Sequence, residues 1–156
     1  MRKRSKYRPK GVIVDTLSFV KAGLSRVGSI SSGLTLKIIN HEALEAVRKG
    51  HGTRDDIDKL ITALNVTEAL AVNLRYGEDW KDEIRAAQDA LLELGRRGAE
   101  TGKFILRGPE LTSLNLAMEI HDEQLDACTV LELEKAHDVV KAAYRTGNVR
   151  TIIQKR

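Results

Sequence analysis

Cysteine is nearly absent from this chain. Cys128 is the single one among 156 residues, which excludes an internal disulfide and fits a reducing compartment. Proline occurs twice and aromatic residues make up 4%. That scarcity, set beside abundant Ala and Leu, favours helices over sheets. No apolar run approaches the roughly 18–20 residues that a membrane span requires, so no membrane association is expected. Motifs that announce catalysis are missing as well. Gly50-His51-Gly52 is followed by no Gly-Lys-Ser/Thr and follows no clear strand, so it is not a phosphate loop. Ser29, Ser31 and Ser32 lack the setting of a nucleophile elbow. No helix-turn-helix, zinc-finger or RNA-binding signature is present. The expectation is a protein that is not an enzyme and needs no cofactor.

What is there begins at the N-terminus. Residues 1–10, MRKRSKYRPK, hold six basic residues: Arg2, Lys3, Arg4, Lys6, Arg8 and Lys10. The chain has 26 Lys+Arg and 22 Asp+Glu, so residues 11–156 carry 20 basic against 22 acidic side chains, a net of −2. The basic character belongs to this arm. Like-charge repulsion and Pro9 disfavour helix there. Asp15 and Lys21 interrupt the apolar stretch that follows, against a signal peptide. The length suits one domain with its own core, and the expected division is a basic arm at 1–10 and a single helical domain at 11–156.

Along that domain the N-terminal third reads as less regular. Residues 15–26 suggest a short helix burying Leu17, Val20 and Leu24; 28–33, GSISSG, a flexible turn; 34–39 either strand or helix; and Asn40 the N-cap of a helix over 41–49 that stops at Gly50. The remainder is clearer. Thr53 and Asp56 form a capping box before a helix to about Arg75 that is apolar nearly all round in its second half and hence central. Trp80, Ile84, Ala87, Leu91 and Leu94 mark a seam in a helix from about 79 to 100. Gly108-Pro109 opens another helix, ending near Cys128, and Thr129 with Glu132 caps the last, to about Thr146. The expected fold is all-α, a bundle of four main helices.

Three groups invite a functional reading. The arm, with Tyr7 among its cations, suits phosphate contact plus one stacked base. It suits equally an acidic protein surface or a neighbouring subunit of a homo-oligomer, and the plain alternative is a solvated tail with no specific role. Arg96, Arg97, Lys103 and Arg107 cluster around one helix end and extend the candidate DNA, RNA or partner surface; the alternative is that they only complement the helix dipole. His121 and His137 each interrupt an apolar seam, seven to eight residues from the turn at 128–129. In an antiparallel hairpin they would face each other, which raises a metal site or a pH switch. Glu134, three residues before His137, would then be a further ligand, although no second Glu-x-x-His occurs. The plainer reading is two partly buried histidines bonded to each other or to backbone. Glu119, Asp122, Glu123 and Asp126 read as a solvated acidic face that could receive the basic arm of another copy. Cys128 reads as core.

The stretches RSKYRPKGVIVDTLSFV (4–20) and GPELTSLNLAMEIHDEQLDACTVLELEKAHDVV (108–140) resemble a group of short uncharacterised proteins encoded in temperate phages and prophages of Gram-negative bacteria. The resemblance covers nearly the whole chain and brings no catalytic motif. It implies work in the bacterial cytoplasm and an accessory or regulatory role. The expected function is that of a non-enzymatic phage accessory protein that binds a host or phage macromolecule and modulates it, in host takeover, defence inhibition or regulation. The alternatives are a nucleic-acid-binding regulator using the arm and a metal-binding helical protein.

Overall fold

The computed structural model describes Val20 and residues 22–148. Over this span the chain forms a 3₁₀ turn at Val27–Ser29, then α1 (Ser31–Arg48), α2 (Arg54–Leu74), a 3₁₀ turn at Glu78–Trp80, α3 (Lys81–Thr101), α4 (Gly108–Ala127) and α5 (Val130–Arg145). No strand occurs among the described residues, only the isolated bridges Arg26–Thr129 and Gly52–Phe104. The all-α expectation holds, with five full helices rather than four among the described residues.

The additional helix is α1: it takes the place of the turn expected at 28–33, makes the strand-or-helix stretch 34–39 helical, and runs on without a break into the helix expected at 41–49. GSISSG is not a flexible turn, because the helix already begins at Ser31. Gly33 lies so close to the Val27 carbonyl that an added Cβ would stand 2.1 Å from its oxygen. A glycine read as flexibility is thus a close contact between helix and preceding turn. Asn40 caps nothing. It sits in mid-helix, buried, on the same stripe as Ala43, Leu44 and Val47. The stop at Gly50 is as expected, with φ at +79°. Val20 and residues 22–24 are helical, but Val20 is 48% and Leu24 62% exposed, so neither is buried as expected; Leu17 lies outside the described residues.

Both capping boxes form. Thr53 N–H donates to Asp56 Oδ2 at 2.9 Å and Thr53 Oγ1 accepts from Asp56 N–H at 3.3 Å. At the start of α5, Thr129 and Glu132 repeat this at 2.9 and 3.3 Å. α2 ends at Arg75, whose φ of 61° puts a non-glycine residue in the left-handed region. α2 is central as expected, packing against α1, α3, α4 and α5, while α4 also lies on α3 and α1. The largest core cluster joins Leu44 and Val47, Leu60 and Leu64, Leu91 and Leu94, and Leu114 and Met118 from four helices. Trp80 does not belong to the α3 seam. It stands in the 3₁₀ turn, 45% exposed, and the seam starts at Ile84. At the other end of α3, the Phe104 ring rests on Gly98, where a Cβ would be 2.1 Å from a ring carbon.

Candidate functional site

α1 and α4 meet along three polar contacts. Lys37 Nζ lies 2.7 Å from Asp126 Oδ1, Asn40 Nδ2 3.2 Å from His121 Nε2, and His41 Nε2 2.8 Å from Asp122 Oδ2. The acidic face of α4 is therefore not wholly solvated: α1 engages Asp122 and the still exposed Asp126, while Glu119 and Glu123 are exposed as well.

His121 is 1% exposed. Its Nδ1 is 2.8 Å from Thr67 Oγ1, and that hydroxyl donates to the Ala63 carbonyl at 2.9 Å. With the Thr67 proton committed, Nδ1–H donates to the hydroxyl and Nε2 accepts from the Asn40 amide. Burial pushes the imidazole down to about 4; Asp122 opposes this, while His41, Lys37 and His137 add to it. Near neutral pH the ring is an uncharged tie between α1, α2 and α4. Both nitrogens are occupied by side chains, which corrects the expectation of bonds to His137 or to backbone.

His137 is half-buried and makes no hydrogen bond among the described residues. Burial, then Lys141, lowers its basicity. The two histidines line one cavity, as their sequence levels suggested. They do so because α4 and α5 both pack on α2, not because the two helices form a facing hairpin. Glu134 is exposed. Among the described residues no group of three His, Cys, Asp or Glu is placed to hold a metal ion.

The basic cluster resolves into two kinds of residue. Arg97 forms a two-pronged ion pair with Glu110, at 2.7 and 2.6 Å, and donates to the Ile105 carbonyl at 3.2 Å. Burial raises the Glu110 carboxyl, but Arg97 and the Arg107 N–H outweigh it and hold the group below its usual range. Arg97 is a strap between α3 and the start of α4, not a free cation. Arg96 pairs with Glu93 one turn away. Lys103 and Arg107 are exposed. Of the proposed binding residues, Arg2, Lys3, Arg4, Lys6, Tyr7, Arg8 and Lys10 lie outside the described residues. Cys128 is fully buried, and burial followed by the Glu132 charge pushes its thiol up to about 11, so it is core as expected.

A second feature was not foreseen from sequence. A groove of about 1240 Å³ runs along α2 between α3 and α5, two helices that share no extensive contact. Ile61, Asn65 and Val72 come from α2, Leu92 and Gly95 from α3, and Val139 from α5. Asn65 spans it: its Oδ1 accepts from Gln88 Nε2 at 3.3 Å and its Nδ2 donates to the Tyr144 hydroxyl at 3.2 Å.

These features define an all-α bundle built around one central helix, with a buried polar tie and an open lateral groove. Comparison with protein-family models, with curated proteins and with solved structures finds no match to this chain. No helix among the described residues is long and apolar enough to cross a membrane.

Proposed function

We propose that this chain is a non-enzymatic accessory protein that binds a second protein and changes its activity, the groove along α2 receiving an amphipathic helix of that partner. The groove carries the reading. It follows α2 from Arg54 to Asn73, a length of about 28 Å at the helical rise, and its sides are two helices. That is the open position of one more helix in a bundle, and helix-in-groove docking uses such a surface. Val72 and Val139 stand on it 41% exposed each, ready to lose that exposure to an apolar stripe.

Charge narrows the partner. Six cations within residues 1–10, on a body of net charge −2, suit a partner with acidic residues around its docking helix. Such attraction raises the encounter rate more than it tightens the final complex. The resemblance to phage and prophage accessory proteins supports a host or phage protein as that partner and the bacterial cytoplasm as the place of action.

DNA or RNA bound by the arm is the alternative. Six phosphate contacts would give log affinity a slope of roughly −5 against log salt. The ion pairs of Arg96 with Glu93 and of Arg97 with Glu110 leave the body with little to extend a phosphate footprint, which favours the protein reading. A tagged full chain and one lacking residues 2–10 test the two, each used to capture partners with and without nuclease. The proposal expects capture that survives nuclease and weakens without the arm. Capture abolished by nuclease would replace it with the nucleic-acid reading.

A further inference from the structure

A cavity of about 310 Å³ opens between α1 and α2, with His121 of α4 and His137 of α5 completing its lining. Its apolar part is Leu36, Ile39, Ala63 and Val66. It opens to solvent past the exposed Ile39, Asp58 and Thr62, and its volume falls in the range of small-molecule sites. Its polar groups are incompletely used. Asn40 is only 4% exposed, yet its amide spends one N–H on His121 and has no other partner among the described residues. The second N–H and the carbonyl oxygen of a buried amide at a cavity wall are a recognition edge left open. His137, half-buried and unpartnered among the described residues, adds a second polar point.

Charge selects the ligand. Asp55 and Asp58 line the cavity with Lys59, and Lys59 is already paired to Asp55 at 2.6 Å. Among the described lining residues no Lys or Arg is left over to receive an anion, and the deep residues Asn40 and His121 offer no countercharge to any ion drawn inside, where desolvation is costly. We infer that this cavity is a binding site for a small neutral organic molecule, apolar over most of its surface, with one hydrogen-bonding edge that meets the Asn40 amide. The site shares only Asp58 with the α2 groove and does not depend on the proposed protein partner.

Indole, which is bicyclic, neutral and carries one N–H, serves as the probe. Titrated into the full isotope-labelled chain, it should shift the backbone resonances of Ile39, Asn40, Thr62, Ala63 and Val66 and saturate with a Kd below about 1 mM. Indene has the same shape without the N–H and should bind at least about tenfold more weakly, because it leaves the buried amide unpaired. Indole-3-acetate, an anion, should also bind at least about tenfold more weakly. Ile39→Trp and Thr62→Trp place bulk at exposed lining positions, so either variant that keeps its helical dichroism and melting transition should lose indole binding. The inference is overturned by absent or unsaturable shifts, by equal affinity for indole and indene, by binding that persists in a folded Trp variant, or by shifts that follow the α2–α3–α5 groove instead.

Discussion

His121 illustrates how burial decides what a histidine does. Held at about 4 against an ordinary value near 6.5, mainly by burial, the native ring binds its proton less readily than the unfolded one. Between these values the unfolded chain holds more protons, so stability rises with pH through the window. The contribution is complete above about 6.5 and is lost as pH falls toward 4. The shift corresponds to about 3 kcal/mol. Urea unfolding followed from pH 7 to pH 4 should show this slope, and His121→Gln should flatten it, whatever that substitution costs at pH 7. An unchanged slope would mean that other groups carry the pH dependence. Gly98 is the second informative residue. Gly98→Ala places a methyl group inside the Phe104 ring and should lower stability by about 1–3 kcal/mol in denaturant titration. The seam position of His121 was legible from its 3-4 spacing with Met118 and Leu125. Its partners were not, because Asn40 reads locally as a cap and only the packed α1–α4 interface shows it as a core amide. In a single helix over 34–49, the spacing of Leu36, Asn40, Leu44 and Val47 puts Asn40 on the apolar stripe.

At the scale of elements, the helix boundaries set by local chemistry were the readable ones. Thr53, Thr129 and Pro109 sit where side chain or ring satisfies the helix start, and Gly50, Gly102 and Gly147 sit in the left-handed region at helix ends. Thr53→Ala should cost about 1 kcal/mol in thermal or chemical unfolding. Thr129→Ala should cost more, since Glu132 Oε2 receives the Tyr76 hydroxyl at 2.9 Å as well as closing the cap. Equal losses would show that the Tyr76 link is energetically idle. Arg75 breaks the pattern of glycine at left-handed positions. Its side chain is 83% exposed and meets Glu78 only at 3.8 Å, so Arg75→Gly should remove backbone strain at little loss and raise stability by about 0.5–1 kcal/mol. The first half of α1, residues 31–40, was illegible for the opposite reason. Serines, threonine and glycine at its start are weak helix formers, and the helix is held by contacts with α2, the Val27 turn and α4 that local propensity does not report.

Taken whole, the molecule is a central helix with neighbours on most of its circumference and an opening between α3 and α5. The centrality of α2 was readable from its apolar second half. The opening was not, because it depends on which helices fail to touch, and no single element's pattern contains that. The mixed charge, a basic segment on a slightly acidic body, enters the proposed function at this scale. Removing residues 2–10 should slow association with the partner at low salt while leaving dissociation nearly unchanged. The most direct measurement of the groove's role is the affinity of the nuclease-resistant partner for the wild-type chain and for Val72→Lys and Val139→Lys. Both sites are exposed enough to keep the fold, verified by melting. The account predicts that each substitution weakens binding at least tenfold, chiefly through faster dissociation. Wild-type affinity in both folded variants would contradict it.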